Sequence, residues 1–135
     1  MSRESELHMR LVRGAINAIK ADYNDVYSLI IYADLPSYGV DRPYAVGGHI
    51  PDVLAVDTPE TFRVIGEAKT GTDLETDRSK RQIKAFLTHL ARTSHSAFYL
   101  VVPTFLKARA TGLVDDWARS VNASHVRRIV APARF

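Results

Sequence analysis

Two acidic side chains and a lysine stand at the ends of two apolar segments in the middle of the chain. Asp52 lies in the apolar segment 49–56, and Glu67 and Lys69 end the segment 62–69. A carboxylate in an otherwise buried strand is costly unless it is paired or binds a metal ion. Hard divalent cations such as Mg²⁺ prefer carboxylate oxygen and keep water ligands for a phosphate-bearing substrate. These residue types therefore predict a metal site that could cut phosphodiester bonds.

The residues between the two segments have the composition of a turn, which predicts a hairpin. If Asp57 pairs with Phe62, the same antiparallel register sets Asp52 directly opposite Glu67, with Cβ atoms roughly 4.5–5.5 Å apart. Alternation along the second strand then places Lys69 on the face of Glu67. Two like charges this close repel each other. A cation between them would remove that repulsion, so the hairpin also favours a metal site.

Hydrophobic periodicity predicts the elements that position this hairpin. They are a helix over 4–20, a strand over 26–33, a long loop over 34–48, hairpin strands over 50–56 and 62–69, a helix ending near residue 91, a strand over 96–102, a helix over 105–120 and a strand over 125–130. This order predicts an α/β fold with a mixed central sheet flanked by helices. The length of 135 residues, with 46% apolar and 24% charged residues, predicts one domain over 1–135.

Pro51-Asp52 followed by Glu67-Ala68-Lys69 resembles the signature of the PD-(D/E)xK nuclease superfamily, which includes restriction endonucleases, archaeal Holliday junction resolvases and RecB-like exonucleases. The first six predicted elements, αβββαβ, match the common core of that superfamily, and a helix and a strand follow at the C-terminal end. The resemblance implies a restriction endonuclease-like fold. It also implies Asp52, Glu67 and Lys69 as catalytic residues, and Asp52, Glu67 and the Ala68 carbonyl as ligands of Mg²⁺, which Mn²⁺ could replace.

The resemblance also points to two secondary positions. Many members carry a glutamate on the first helix that completes the metal site, and Glu6 is preferred here with Glu4 as the alternative. RecB-like members have a glutamine followed four residues later by a tyrosine on the helix after the Glu-x-Lys segment. Gln82 and Phe86 stand at that spacing, so Gln82 is a candidate nucleic-acid contact. Phe86 cannot supply a hydroxyl, which makes the match to the RecB-type motif partial.

Basic residues are concentrated directly after the Glu-x-Lys segment. The net charge is +3 with a pI of about 9.3, a mild excess that permits a polyanionic partner. Because lysine and arginine contacts to phosphate supply most non-specific nucleic-acid affinity, Arg78, Arg81 and Lys84 are predicted to bind nucleic acid. The alternative is that these residues form only a solvated helix face.

Several other classes of protein are not indicated. Cysteine is absent, which excludes disulfides and thiolate zinc sites and is compatible with the cytoplasm. The five histidines show no zinc-ligand spacing, and the motifs of serine hydrolases, dinucleotide enzymes and P-loop proteins are missing. No apolar N-terminal stretch or run near ~18 apolar residues is present. We therefore expect a cytoplasmic protein with no signal peptide and no membrane partner.

The sequence thus predicts a metal-dependent nuclease that acts on nucleic acid, with DNA favoured over RNA and endonuclease favoured over exonuclease. A homodimer is expected, because cutting two strands needs two active sites. The loop over 34–48, with Tyr38, Arg42 and Tyr44, is the expected place for substrate contacts or a partner surface. One alternative is a catalytically inactive nucleic-acid-binding module of the same fold. Another is a structural or interaction protein whose acidic pair is incidental.

Overall fold

The structure is a computed structural model that describes residues 3–26, 28–39, 41–58 and 60–132, with side chains from residue 6 onward. Its helices and strands, in chain order, are α1 (Arg3–Asp22), β1 (Ile30–Ala33), β2 (Val53–Val56), β3 (Phe62–Ala68), α2 (Asp77–Ala91), β4 (His95–Val102), α3 (Lys107–Ser120) and β5 (Arg127–Pro132). The predicted order of elements is confirmed. No helix of the described residues is long and apolar enough to cross a membrane.

The five strands form one mixed sheet in the order β1-β2-β3-β4-β5. The pairs β1–β2 and β2–β3 are antiparallel, whereas β3–β4 and β4–β5 are parallel. The change from antiparallel to parallel follows from the connections, because a short turn joins β2 to β3 and helices join the later strands. The prediction of an α/β fold with a mixed central sheet is therefore confirmed.

The hairpin of β2 and β3 has the register predicted from the sequence. Val53 pairs with Gly66, and Leu54 pairs with Ile65. The turn is closed by the Asp57 carboxylate, which accepts the backbone N–H groups of the residues at the start of β3: Thr61 at 2.9 Å and Phe62 at 3.1 Å. Since these bonds fix the length of the turn, they also fix which residues face each other at the far end of the hairpin.

Alternation along the strands divides the core between the two faces of the sheet. One face packs against α1, through residues such as Val53, Val64 and Tyr99. The other face packs against α2 and α3, through residues such as Leu54 and Ile65. Three layers result, with α1 on one side of the sheet and α2 and α3 on the other. Odd-numbered residues near the end of β3, Glu67 included, consequently point to the α2 side.

The ends of several elements differ from the prediction. Strand β1 is shorter than the predicted first strand, 26–33. Ser28 has a φ of 61°, so the chain leaves the extended conformation before β1 begins. The predicted strand 50–56 begins only at Val53, because the N–H of Asp52 bonds to a side chain instead of the ladder. Helix α3 begins two residues late, after a 3-10 turn over Thr104–Leu106, and β5 runs two residues later than predicted.

Gly66 allows α1 to approach the sheet next to Glu67, and this gives a test of the packing. A Cβ at Gly66 would lie 3.2 Å from Val53 Cβ and 3.4 Å from both Ala15 Cβ and Ile19 Cδ1. We expect Gly66→Val to lower the free energy of unfolding by roughly 1–3 kcal/mol through overpacking, measured by chemical denaturation.

The matched control is Gly112→Ala in α3, where a Cβ meets no atom within 4 Å. This variant should raise the free energy of unfolding by roughly 0.5–1 kcal/mol, because alanine favours a helix interior over glycine. Equal stability of Gly66→Val and the unsubstituted protein would contradict the close approach of α1 to β3.

Candidate active site

An exchange of hydrogen bonds ties the two acidic residues together where β2 and β3 meet at the end of the hairpin. The backbone N–H of Asp52 donates to Glu67 Oε1 at 2.8 Å. The backbone N–H of Ala68 donates in return to Asp52 Oδ2 at 2.9 Å. Side-chain carboxylates therefore replace backbone carbonyls as acceptors beyond the ladder pair of Val53 and Gly66. Both carboxylates are held at one end of the sheet, where the hairpin register predicts them.

Lys69 joins the acidic pair and connects it to α2. Its Nζ donates to Gln82 Oε1 at 2.7 Å and lies 3.6 Å from Glu67 Oε2. The backbone N–H of Lys69 donates to the Val101 carbonyl in β4 at 3.1 Å, which fixes the backbone of Lys69 beside β4. An ammonium group has three donors, so these two side-chain contacts leave capacity for a third acceptor. Gln82, selected from the sequence as a nucleic-acid contact, here holds the lysine in place.

His8 of α1 also reaches the site, and the sequence reasoning did not select it. Its Nε2 lies 3.2 Å from Asp52 Oδ1. The hydrogen bond to Asp52 raises the pKa of His8 above its usual value, and burial partly opposes the shift. A signal was present, because His8 shares the buried helical stripe of Leu11, Val12 and Ala15.

These side chains line one cavity of about 250 Å³ at the end of the sheet. The segment between β3 and α2 supplies the remaining wall through Asp73 and Thr76, and the first turn of α2 supplies Arg78 and Ser79. Thr76 caps the helix by accepting the Ser79 N–H at 3.1 Å. The N-terminus of a helix favours negative charge. The cavity therefore combines two carboxylates on one wall with a second wall on which Arg78 and the helix N-terminus suit an anion and the Asp73 carboxylate does not.

The other predicted site residues are placed differently. Glu6 is exposed and is not part of the lining of the cavity, so the structure does not bring it to the acidic pair. The side chain of Glu4 lies outside the described residues. Arg81 is exposed and Lys84 is half-buried on α2, and neither lines the cavity. Ala68 contributes its N–H to Asp52, and its carbonyl as a metal ligand stays a prediction.

The described residues of the loop over 34–48 do not contribute to the lining of this cavity. Tyr38 packs partly against the α1 side of the core, with the Lys20 ammonium 5.3 Å from its ring centre. Arg42 donates to the Gly39 carbonyl at 2.9 Å and so stabilises the loop itself. Tyr44 is 43% exposed. A role of this loop in binding a substrate or partner stays a prediction.

The arrangement limits how a metal ion could bind. Among the side chains that the structure describes, no group of three or more histidine, aspartate and glutamate residues is placed to hold a metal ion. Asp52 and Glu67 are the carboxylates that lie together, and Asp73 lines the same cavity without forming a group of three with them. Each of their carboxylates has about four lone-pair positions, and the hydrogen bonds described above use only some of them.

Burial makes the ionised form of Glu67 unfavourable. Its side chain is only 2% exposed. Burial raises the pKa of the Glu67 carboxyl well above its usual range, and the nearby charge of Asp52 raises it further. The charge of Lys69 and the hydrogen bonds from Asp52 and Lys69 lower that pKa but do not cancel the effect of burial. An additional positive charge in the cavity would favour the ionised form.

Comparison with protein-family models, with curated proteins and with solved structures finds no match for this chain. Conclusions about its chemistry consequently depend on its own residues and their geometry.

The raised pKa of Glu67 predicts how stability depends on pH in metal-free protein. The unfolded chain ionises this carboxyl at its ordinary pKa, whereas the folded chain retains the proton to higher pH. Folding therefore becomes less favourable as pH rises from the ordinary glutamate pKa through the folded one. We expect Glu67→Gln, which retains an oxygen acceptor for the Asp52 N–H, to be the more stable protein at neutral pH in chelator.

The measurement is the free energy of unfolding between acidic and neutral pH, for both proteins in chelator. The difference between the two profiles isolates Glu67, because the other groups titrate in both proteins. Parallel profiles would show that Glu67 is ionised at its ordinary pKa and that its burial carries no electrostatic penalty.

Proposed function

We propose that this protein is a Mg²⁺-dependent endonuclease that hydrolyses phosphodiester bonds of DNA. The observation that carries the proposal is the convergence of Asp52, Glu67 and Lys69 on one cavity. The order of the first six elements, which agrees with the αβββαβ core of the PD-(D/E)xK superfamily, supports it as well. A restriction endonuclease-like fold is accordingly part of the same proposal.

The donor set fits Mg²⁺. This ion is commonly held by one or two carboxylates together with water and substrate phosphate, so a pair of carboxylates is sufficient. Asp52 and Glu67 supply such a pair, and a cation next to them would offset the charge that burial makes unfavourable at Glu67. The Ala68 carbonyl is the proposed additional ligand. An exposed Glu6 is left out of the proposed ligand set.

Each group that lines the cavity would have a separate role in the reaction. Asp52 and Glu67 would hold Mg²⁺, which would supply an acidified water and offset charge on the scissile phosphate. Lys69, held by Gln82, would orient the attacking water and stabilise the developing negative charge. Arg78 and the N-terminus of α2 would hold the substrate phosphate. His8 would act as a positioning residue, because its contact is with Asp52.

Two copies of the chain are part of the proposal. The acidic pair of one chain forms one site, and cleavage of both strands of a duplex needs two. A homodimer in the cytoplasm, acting on DNA, is the arrangement that we propose.

One observation favours the alternative of a nucleic-acid-binding module without catalysis. His8 occupies Asp52 Oδ1, and within the described part of the chain no third acidic or histidine ligand completes a metal site. Such a module would bind nucleic acid through Arg78 and its neighbours on α2 but would leave phosphodiester bonds intact. Cleavage that requires a divalent metal distinguishes the two functions.

Substitution of the site residues tests the proposed chemistry. Asp52→Asn, Glu67→Gln and Lys69→Met should each lower the rate of plasmid cleavage in Mg²⁺ by roughly 10²-fold or more, because each removes a charge that acts at the scissile phosphate. The measurement is the conversion of supercoiled plasmid to nicked and linear forms, with Mg²⁺, with Mn²⁺ and with chelator.

Asp116→Asn is the matched control, because Asp116 is an exposed carboxylate on α3 that pairs with Arg119. It should cleave at the unsubstituted rate. Full cleavage by both Asp52→Asn and Glu67→Gln, or cleavage that persists in chelator, would refute a metal site at this hairpin.

The basic residues of α2 give a separate test of binding. Arg78 lines the cavity and Arg81 is exposed one turn further along. Each phosphate contact that is lost should reduce the slope of log affinity against log salt by roughly 0.7–0.9. The double substitution Arg78→Ala and Arg81→Ala should therefore weaken binding about equally for all sequences, as measured by fluorescence anisotropy over a salt series.

The control is Arg13→Ala, which removes one exposed charge from α1 on the other side of the sheet. It should leave the slope unchanged. An unchanged slope in the double variant would mean that α2 presents only a solvated face to the substrate side.

A further inference from the structure

A second cavity lies at the opposite end of β3 from the candidate active site. Its volume is about 480 Å³, and Arg63 and His89 contribute to its lining. Arg63 precedes Glu67 by four strand residues, which corresponds to roughly 13 Å at about 3.3 Å per residue. The two cavities therefore lie at separate ends of the same strand, and no residue that the structure describes lines both.

Arg63 and His89 form a half-buried contact in which neither partner is an anion. The Arg63 Nη1 lies 2.6 Å from His89 Nε2. A guanidinium can only donate, so the imidazole must accept and be neutral. Among the described residues, no carboxylate lies within ion-pair distance of Arg63. A partly buried cation without an anionic partner is unfavourable, which leaves this position suited to an anion.

A second guanidinium reinforces the positive charge of the cavity. Arg92, the C-cap of α2, also lines it. Burial lowers the pKa of His89, and the nearby charges of Arg63 and Arg92 lower it further. The hydroxyl groups of Thr93 and Ser94 add donors to the same wall.

Two features oppose an anion here, and neither outweighs the guanidinium groups. The Glu60 carboxylate lines the cavity but is exposed, so solvent screens its charge. The last carbonyls of α2 carry the negative end of the helix dipole. Those of His89 and Leu90 are already hydrogen-bonded, to the backbone N–H groups of Arg92 and Thr93. Arg92 is exposed and is screened like Glu60, so the half-buried Arg63 is the charge that neither feature offsets.

We propose that this basic cavity, formed around Arg63, His89 and Arg92, binds a phosphate group. Guanidinium groups match phosphate oxygens through paired N–H donors, and two of them can hold one phosphate from two sides. The phosphate belongs either to the end of a nucleic-acid strand or mononucleotide, or to a nucleic-acid backbone, and both present non-bridging oxygens that accept hydrogen bonds from guanidinium groups. The phosphate site rests on residues at the other end of the sheet and is independent of the proposed nuclease activity, whereas nucleic acid as the source of the phosphate rests on the proposed function.

Titration calorimetry with inorganic phosphate at constant ionic strength tests the site. Arg63→Gln keeps a donor for His89 and removes the charge, and Arg92→Ala changes an exposed residue. Each should weaken phosphate binding by roughly tenfold or more, because each removes charge-assisted hydrogen bonds. Arg13→Ala, which removes the same charge from an exposed position on α1 outside the cavity, should bind phosphate as the unsubstituted protein does.

A second arm distinguishes the sources of the phosphate with an oligonucleotide that carries either a 5′-phosphate or a 5′-hydroxyl. Tighter binding of the phosphorylated form, lost in Arg92→Ala, supports a terminal phosphate. Equal binding of both forms, weakened by Arg63→Gln and Arg92→Ala but not by Arg13→Ala, supports a backbone phosphate. If neither variant differs from Arg13→Ala with phosphate or with either oligonucleotide, the proposal is overturned. Arg92→Ala keeps the test decisive if Arg63→Gln does not fold.

Discussion

The paired hydrogen bonds between Asp52 and the end of β3 are the constraint on which the candidate site depends. One bond runs from the Asp52 N–H to the Glu67 carboxylate, and the other from the Ala68 N–H to the Asp52 carboxylate. Both form only in the observed register, since a shift of one residue would turn Glu67 to the α1 side of the sheet. The hairpin turn, closed by Asp57, therefore determines whether the two carboxylates meet.

The same hydrogen bonds hold two carboxylates close together, and this lowers the stability of the folded protein when no cation is bound. Glu67 is buried beside a second carboxylate, and Lys69 is the ammonium that lies near it. The Lys69 ammonium also donates a hydrogen bond to Gln82, so it lies between the sheet and α2 and does not interact with Glu67 alone. Local conflicts of this kind are expected at functional sites, where a structure retains charge that a purely structural core would exclude. The fold tolerates it because the surrounding strands and helices pack closely.

The elements and the hairpin register were predictable because they follow from local rules. Apolar alternation, the turn composition and the order of helices and strands required no knowledge of distant contacts. His8 was not predicted to be a site residue, although it lies on the buried face that the helical periodicity defines. Glu6 precedes His8 by two residues, which is about 200° around a helix, so the two side chains cannot both face the sheet. Strand ends were less predictable, because a side chain at Asp52 and a positive φ at Ser28 replaced ladder bonding.

Helix α2 connects the two charged regions of the molecule through residues that are two turns apart. Gln82 contacts Lys69 at one end of β3, and His89 contacts Arg63 at the other. Seven residues of helix correspond to about 10.5 Å along its axis. The buried residues of α2 between these two contacts, Ile83, Phe86 and Leu87, pack against the sheet and hold the helix along β3. The distance between the candidate active site and the basic cavity is therefore set by packed secondary structure. A ligand that contacted both would have to match a fixed separation, which a flexible loop would not impose.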